Sequence, residues 1–326
     1  MENDKKRIGW GLIGPGRFAQ EFAQELVAME GARPVAVASR DLAKAQAFAS
    51  RFGFEKACGS YEELFADEDV DIVYIVVPHV FHAGIAKAAI LAGKAVLCEK
   101  PLTPEPETTR ELTRLAQEHG VFLMEAMKTG FLPAIRKAKS WIGEGRIGDL
   151  RLAQADFCFS GPTDPGDRLM NPELGGGAVL DVGIYPLHLT RLLLGEVESI
   201  AARGTLAETG VEDSAAILSR HVSGACAAMT CSFRTEEAMS ASVFGTEGLI
   251  EIPLFHAAKK AILKQGGEVI ETFEDSGGGM VAAEIEAVMD ALGEGLTECP
   301  GHTHADSIRL AELMYEVRRQ VGSLVT

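Results

Sequence analysis

The stretch Gly11-Leu12-Ile13-Gly14-Pro15-Gly16-Arg17-Phe18-Ala19 decides the fold of this chain. It joins a predicted strand, residues 7–13, to a predicted helix, residues 17–29. It matches the pattern G-x-G-x-x-A. The first glycine makes a tight turn, the second lets the backbone approach a pyrophosphate, and the small third residue lets helix and strand pack closely. Because the pattern lies between a strand and a helix, it predicts a dinucleotide-binding loop rather than a plain tight turn.

The residues of this loop that we expect beside the phosphates are Gly14, Gly16, Arg17 and Phe18. Arg17 and Phe18 open the predicted helix. Its first backbone N–H groups and the positive end of its dipole favour an anion.

Outward from the loop, strands alternate with helices through the first third of the chain. The predicted strands are residues 33–39, 71–77, 95–98 and 121–125, and the predicted helices are residues 42–51, 81–92 and 105–119. A capping box of Ser60 and Glu63 begins a short helix through Phe65. These units predict a doubly wound parallel sheet of the Rossmann type, and we assign residues 1–125 to a dinucleotide-binding domain.

The pattern changes after residue 125. Six β-like runs follow one another at residues 150–159, 199–205, 215–222, 225–233, 238–244 and 248–252. Turns such as Ser223-Gly224 and Gly266-Gly267 between such runs predict a large, mostly antiparallel sheet. A helix over residues 305–320 closes the chain. We therefore predict an α/β protein whose second α/β domain covers residues 126–326.

Charge and hydropathy narrow the classes of partner. The 326 residues carry a formal net charge of −16, which argues against nucleic acid or an anionic membrane as the main partner. We find no apolar run of the roughly 18 residues that a membrane helix needs. Residues 1–7 lack the apolar core of a signal peptide. A cytoplasmic protein is expected.

The six cysteines contain no C-x-x-C pair, and buried reduced thiols are expected. Cys299, His302 and His304 form the one grouping with some metal-ligand character. Because no fourth ligand lies at a sensible spacing, we predict no metal site.

The end of the second predicted strand bears on the choice of dinucleotide. NAD-preferring sites commonly place an acidic residue here for the ribose hydroxyls, whereas this chain has Ser39 and Arg40. A hydroxyl and a guanidinium suit a 2′-phosphate. This favours NADP over NAD, and the alternative is a surface Arg40 paired with Asp41.

Two segments carry candidate proton-handling groups. Glu99-Lys100-Pro101 follows a strand of the predicted parallel sheet, at the edge where ligands of such sheets lie. In the run of residues 175–188, Asp181, Tyr185 and His188 are spaced i, i+4 and i+7, so they share one face if the segment is helical. Pro186 requires that the helix begins or kinks near it. Core packing is the alternative for Tyr185 and His188, and an exposed surface position is the alternative for Lys100.

At this point the sequence resembles a known family, the Gfo/Idh/MocA oxidoreductases. The resemblance rests on the glycine loop, on Glu99-Lys100-Pro101 and on Gly-Gly-Gly-x-x-x-Asp-x-Gly-x-Tyr, in matching order across nearly the whole chain. The closest likeness is to the branch of dimeric dihydrodiol dehydrogenases and NADP-dependent D-xylose dehydrogenases. Its stretches include residues 37–42, 93–101, 122–126 and 180–185.

The resemblance implies roles for these residues. Lys100 matches the lysine that hydrogen-bonds the reacting oxygen, Asp181 matches its acidic partner, and Tyr185 stands where other members have His or Tyr. Whether Lys100 or Tyr185 is the main acid/base stays open. The resemblance also implies a second domain that binds substrate and forms a dimer or tetramer. The segment Pro78-His79-Val80-Phe81-His82 resembles one near the nicotinamide ribose, so Pro78 and His79 are expected cofactor contacts, together with Glu99 and Lys100. His82 is expected either there or as a cap of the next helix.

One departure from the branch concerns the substrate. The branch usually has an aromatic residue and an Arg before Phe-x-Pro, where this chain has Lys128 and Gly130. A cation in place of an aromatic ring disfavours a bulky aromatic diol and fits a polyhydroxylated or anionic compound. The alternatives are that Lys128 pairs with Glu125 or binds a cofactor phosphate.

The sequence therefore predicts an NAD(P)-dependent oxidoreductase, NADP being preferred, that acts on a sugar, polyol or related diol. Lys100, Lys128, Asp181, Tyr185 and His188 are the expected substrate contacts. The alternatives are an enzyme that recycles a permanently bound cofactor and a cofactor-binding sensor without turnover.

Overall fold

The computed structural model of the chain describes residues 7–324. Of the N-terminal residues that lack a signal-peptide pattern, residues 1–6 lie outside the described range. Over residues 7–324 the chain forms two compact units. The first consists of residues up to Thr103, Glu107–Met127 and Gly278–Ile308, and the second of Pro104–Pro106, Lys128–Gly277 and the residues from Arg309 onward. Gly278–Ile308 thus packs within the first unit, whereas the sequence-based boundary at residue 125 assigns it to the second domain.

The first unit holds a six-stranded parallel sheet in the order β3-β2-β1-β4-β5-β6. Its strands are β1 (Ile8–Ile13), β2 (Ala32–Ala38), β3 (Lys56–Cys58), β4 (Ile72–Ile75), β5 (Ala95–Glu99) and β6 (Leu123–Ala126). The helices between them are α1 (Arg17–Leu26), α2 (Leu42–Phe52), α3 (Tyr61–Phe65), α4 (His82–Leu91) and α5 (Pro106–His119). The predicted doubly wound fold is confirmed.

The apolar strands of this sheet are covered on both faces, as a parallel sheet requires. All four residues of β4 are buried. The strand order changes direction between β1 and β4, and in such sheets ligands bind beyond the carboxyl ends of the strands at this switch point. The glycine loop follows β1, which places it there.

The segment Gly278–Ile308 covers the β6 edge of the sheet. The Leu123 N–H donates to the Thr297 carbonyl (3.0 Å), and His302 Nε2 lies 3.0 Å from the Glu125 carboxylate. The described part of this segment includes α8 (Ala282–Gly293). An edge strand that would otherwise expose unpaired backbone groups is therefore protected.

The second unit holds a nine-stranded sheet in the order β15-β14-β13-β12-β7-β10-β9-β8, with β11 paired to β7. Neighbouring strands are antiparallel except for β7 and β10. Its strands are β7 (Leu150–Ser160), β8 (Val197–Leu206), β9 (Glu212–His221), β10 (Cys226–Ser232), β11 (Arg234–Ala238), β12 (Ser240–Gly245), β13 (Leu249–Pro253), β14 (Lys260–Gln265) and β15 (Glu268–Glu274).

Helices pack on one face of this sheet. The unit contains α6 (Pro133–Gly143) and α7 (Ile184–Leu194), and α9 (His304–Val321) ends in it. Along β9, Ala215, Ile217 and Ser219 are buried whereas Ala216 and Leu218 are exposed, so only one face of the strand is covered. The stretch Pro172–Leu194 has the length and apolarity of a membrane span, but 89% of the tested window is buried inside the protein, as in a core helix.

Candidate active site

The glycine turn between β1 and α1 leaves room for a phosphate. Gly14 has φ +93°, and a Cβ there would stand 2.3 Å from the Val76 carbonyl oxygen, so only glycine fits. A Cβ at Gly16 would meet no atom nearer than the Gly14 carbonyl oxygen at 4.0 Å, so this side of the turn is open. Gly16 caps α1 without a side-chain hydrogen bond, and the first turn of α1 carries no acidic residue. Because Ala19 is buried, α1 packs closely on the sheet.

These features fit a pyrophosphate. Gly14 and Gly16 give the backbone access to it, and exposed Arg17 lies at the first position of α1 with half-buried Phe18 next to it. The helix N-terminus offers backbone N–H groups and the positive end of the helix dipole to an anion.

Ser39 and Arg40 follow β2 at the same edge of the sheet. The Ser39 hydroxyl accepts a hydrogen bond from the Asp41 N–H (3.2 Å), and Arg40 is exposed. The Asp41 carboxylate caps α2 by accepting from the N–H groups of Ala43 and Lys44. Capping is therefore the role that the structure gives to Asp41.

The segment after β5 is fixed through Glu99. One carboxylate oxygen accepts from the Tyr74 hydroxyl (2.7 Å) and the other from the Lys100 N–H (3.2 Å). Tyr74 is fully buried and stacks on Phe22, with 3.6 Å between ring centroids. Burial, and then the Glu99 carboxylate, raise the pKa of the Tyr74 hydroxyl, which therefore stays protonated and donates. Lys100 is half-buried, and the peptide bond to Pro101 is cis.

His82 braces this segment from behind. Its Nδ1 lies 2.8 Å from the Pro101 carbonyl oxygen and its Nε2 lies 2.8 Å from the Val77 carbonyl oxygen. Burial lowers the pKa of the imidazole, and the two carbonyl contacts oppose that change. The expectation that His82 caps α4 is wrong, because its ring joins the segment after β4 to the loop after β5. His79 is buried, and Pro78 before it is half-buried.

In the second unit, Asp181 lies in a π-helical turn, Val179–Gly183, that leads directly into α7. Pro186 is the third residue of α7, so the helix begins near it as the sequence requires. Tyr185 and His188 are buried on α7, while Asp181 is partly exposed. A π turn changes the rotation per residue, so regular i, i+4 spacing does not hold for Asp181. Such turns are frequent at functional sites.

Two residues near these groups carry no sequence motif. The Arg168 Nη1 donates to Asp181 Oδ1 at 3.1 Å. The His256 ring lies 4.3 Å from Phe157 and 6.2 Å from Tyr185, measured between centroids. Arg168 lies 13 residues before its partner Asp181 in the π turn, and His256 lies after β13, so no single motif contains them together with α7.

Lys128 and Gly130 lie in a short 3-10 helix, Lys128–Phe131. The Lys128 side chain is buried, with the residue 6% exposed. A Cβ at Gly130 would stand 3.0 Å from His188 Nε2, so His188 occupies space that a larger residue at 130 would need.

The imidazoles near Cys299 have structural partners. His302 Nε2 lies 3.0 Å from Glu125 and 3.1 Å from the Ser307 hydroxyl, and His304 Nε2 lies 2.9 Å from the Leu123 carbonyl oxygen. Among residues 7–324, no group of three or more His, Cys, Asp or Glu side chains is arranged to hold a metal ion.

Comparison with known proteins agrees with this architecture. The family described as "Oxidoreductase family, NAD-binding Rossmann fold" matches residues 8–127, and the "GFO/IDH/MocA C-terminal domain" matches residues 135–251. The chain is 35% identical to trans-1,2-dihydrobenzene-1,2-diol dehydrogenase of Mus musculus over 327 residues, which covers 97% of each chain.

Two solved structures share the fold over nearly the whole chain. KijD10, a 3-ketoreductase from Actinomadura kijaniata in complex with NADP and TDP-benzene, has a TM-score of 0.86 and 29% identity, covering 97% of this chain and 98% of the other. The aldose-aldose oxidoreductase from Caulobacter crescentus has a TM-score of 0.89 with the same coverage. Its 23% identity limits that likeness to the fold.

Proposed function

This chain belongs to the Gfo/Idh/MocA oxidoreductase family, and we propose that it is an NADP-preferring dehydrogenase or reductase of a sugar-like compound. It is an NAD(P)-dependent enzyme that transfers hydride between nicotinamide and a CH–OH or carbonyl carbon. The observation that carries the cofactor assignment is the glycine turn, where Gly14 lies against Val76 and Gly16 leaves space at the N-terminus of α1. The preference for NADP is supported by exposed Arg40, which follows Ser39 after β2.

When bound, the cofactor donates or accepts the hydride. The chain must then control the proton on the substrate oxygen, because charge develops on that oxygen as hydride moves at the carbon. We assign this proton to Lys100 or Tyr185. We assign to the Asp181 carboxylate the role of orienting the group that transfers this proton. Glu99 holds the backbone N–H of Lys100 in place.

The substrate assignment rests on the second unit. Lys128 and His188 are buried polar groups, and Tyr185 packs beside Phe157 with 5.2 Å between ring centroids. We assign Lys128, His188 and Tyr185 to one substrate pocket, because a cation, an imidazole and a phenol suit a ligand rich in hydroxyl groups better than an aromatic hydrocarbon ring. We therefore propose a sugar or polyol as the substrate.

Initial rates test the proposal. Purified protein is assayed with NADP and NAD against aldoses, inositols, sugar acids and trans-dihydrodiols, with Lys100→Ala and Tyr185→Phe as variants. We expect turnover of a sugar-like compound with NADP and a loss of about 10²–10⁴-fold in kcat for Lys100→Ala. Binding of NADP without turnover of any compound would favour a sensor. Failure to bind either dinucleotide would overturn the proposal.

We also propose that the chain is a homo-oligomer joined through the open face of the nine-stranded sheet. This face is lined by small and apolar side chains, among them Ala216, Ala228 and Leu218, the last of which is 62% exposed. A shallow concavity of about 650 Å³ lies over these strands. Sheet faces of this kind favour burial against another surface.

A further inference from the structure

The loop that joins β7 to the glycine run of residues 175–177 carries Arg168. Two local turns shape this loop. Asp164 Oδ1 accepts from the Gly166 N–H (2.9 Å), and Asp167 Oδ1 accepts from the Leu169 N–H (2.8 Å). The backbone on both sides of Arg168 is therefore held by its neighbours.

The same loop is fastened to the start of the helix that carries Asp181. The Gly177 N–H donates to the Leu169 carbonyl (2.9 Å), and the Gly176 N–H donates to the Asn171 carbonyl (3.0 Å). A Cβ at Gly176 would stand 2.6 Å from the Leu169 carbonyl oxygen. The backbone at residue 176 can therefore approach the backbone at residue 169 only because residue 176 is glycine. The position of Arg168 relative to Asp181 is thus set by backbone contacts.

The guanidinium of Arg168 is only partly used. Its Nη1 donates to Asp181 Oδ1 at 3.1 Å. The Arg168 side chain is 45% exposed and the Asp181 side chain is 13% exposed. Within residues 7–324 Arg168 makes no other hydrogen bond or ion pair. Its Nε and Nη2 edge therefore makes no hydrogen bond within this range, on a half-exposed side chain beside the carboxylate that we assign to the active site.

Arg33 shows what such an arrangement can do. Its Nη1 donates to Asp69 (3.3 Å), while Nε and Nη2 bind both oxygens of Glu55 at 2.7 and 2.8 Å. One guanidinium thus serves two acidic groups at once, one through Nη1 and one through the planar edge. Arg168 has the first contact and leaves the second edge for a ligand.

We propose that Arg168 binds an anionic group of the substrate, a carboxylate or a phosphate, through this Nε and Nη2 edge. The inference rests on the proposed function and narrows it from sugars in general to sugar acids or sugar phosphates. A net charge of −16 repels such substrates at long range, so a local cation is needed where they bind. The ion pair between Arg168 and Asp181 adds little to the stability of the fold, because exposed ion pairs contribute roughly 0–1 kcal/mol.

The test compares Arg168→Gln with a matched control, Arg234→Gln. Arg234 is likewise an exposed arginine paired with an aspartate of the same unit: its Nη1 lies 3.4 Å from Asp213, and the Arg234 and Asp213 side chains are 55% and 7% exposed. Each protein is assayed with NADP and with D-glucose, D-gluconate and D-glucose 6-phosphate, or with the corresponding series of the best aldose found. Equal thermal melting of the two variants controls for folding.

We expect Arg168→Gln to lower kcat/KM for the anionic substrate about 10–100-fold, mostly through KM, since a charge-assisted bidentate contact is lost. The neutral sugar should change less than about threefold, and Arg234→Gln should change neither. Selective loss on the acid identifies a carboxylate site, and selective loss on the phosphate identifies a phosphate site. Equal loss on charged and neutral sugars would mean that Arg168 only orients Asp181, which would overturn the inference.

A binding measurement separates this inference from the proposed function. D-gluconate and D-glucose 6-phosphate are titrated by calorimetry into NADP-loaded wild type and Arg168→Gln. Tighter binding of either anion by the wild type supports the anion site even where no compound turns over, and that lack of turnover would count against the proposed function alone. Equal binding by both proteins, or none by the wild type, would overturn the anion site.

Discussion

The proposed preference for NADP over NAD depends chiefly on the charge of Arg40. It is exposed after β2, and its neighbour Asp41 is engaged as the cap of α2. The guanidinium is thus available to a 2′-phosphate, the only group that distinguishes NADP from NAD.

Replacing Arg40 with Ala should weaken NADP binding about 10–100-fold and NAD binding less than about threefold, because only NADP loses a charge-assisted contact. Dissociation constants from fluorescence titration of the reduced cofactors check this. Arg51→Ala, a substitution of an exposed arginine bound to Gln20, is the control. Equal losses for both cofactors would show that Arg40 does not read the phosphate.

Gly130 acts through a neighbour. A Cβ at this position would stand 3.0 Å from His188 Nε2, so even alanine requires His188 to shift by a few tenths of an ångström. The absence of a side chain at residue 130 therefore allows His188 to lie where it does.

We expect Gly130→Ala to raise KM for the sugar-like substrate about three- to tenfold while the dissociation constant for NADP stays unchanged, since small displacements in a binding site weaken positioning. Gly143→Ala at the end of α6 is the control, because a Cβ there meets nothing within 4 Å. A KM that stays at the wild-type value would remove His188 from the set of substrate contacts.

At the scale of elements, the start of the Asp181-bearing helix depends on one buried carboxyl. Glu212 Oε1 accepts from the Val179 N–H (3.2 Å), and a Cβ at Gly177 would overlap the same carboxyl group, 2.4 Å from Oε1. Glu212 thus does for a π turn what a capping side chain does for an α-helix. Burial raises its pKa above the ordinary value of 4.5.

Because the folded state favours the protonated form of Glu212, its contribution to stability falls as pH rises from about 4.5 through the higher folded pKa. Glu212→Gln does not titrate. Its free energy of unfolding relative to wild type should therefore be higher at pH 8 than at pH 4. Glu212→Ala should lower the free energy of unfolding by about 1–2 kcal/mol at pH 4, because the hydrogen bond to the Val179 N–H is lost. Urea unfolding at both pH values measures these differences, and a pH-independent difference for Gln would contradict the assignment.

Elements whose pattern is local were predictable from sequence. The strands and helices of the parallel sheet follow short apolar runs and capping signals, and most end within a few residues of the expected position. The Gly266-Gly267 turn has positive φ at both residues (59° and 89°) and joins β14 to β15, although neither strand was predicted. In β11 all five residues are exposed, and β15 is a largely exposed edge strand, so neither shows the alternation that marks a strand.

The residues of the candidate site also differ in whether a local sequence pattern marks them. The glycine loop and Lys100 lie in contiguous motifs and were predicted. Arg168 contacts Asp181 in the π turn from a loop that carries no recognised motif, and His256 reaches Tyr185 of α7 from the segment after β13, so no short sequence pattern marks either residue. The π turn at Asp181 was also missed, because apolar spacing does not distinguish it from an α-helix.

For the whole molecule, the proposed assembly depends on the open sheet face. Leu218 and Ala228 lie on it, so a charge at Leu218 should disrupt an interface there without touching the core. We expect Leu218→Glu to halve or further reduce the mass found by light scattering, whereas Leu91→Glu, a change at an exposed residue at the end of α4 in the first unit, should keep the wild-type mass. A monomeric wild type, or a Leu218→Glu protein of unchanged mass, would exclude this face.

The edge of β6 has a consequence for how the protein is made. Its partner at Thr297 leaves the ribosome long after Leu123, once every strand of the second unit has been translated. During synthesis, the nucleotide-binding unit therefore exposes the edge of β6, where chaperones or other chains can bind, until residue 297 has been translated. We expect ribosome-stalled chains that end before residue 278 to be cleaved near β6 by a protease that spares the finished protein. Equal protection of both would mean that this half matures without its late segment.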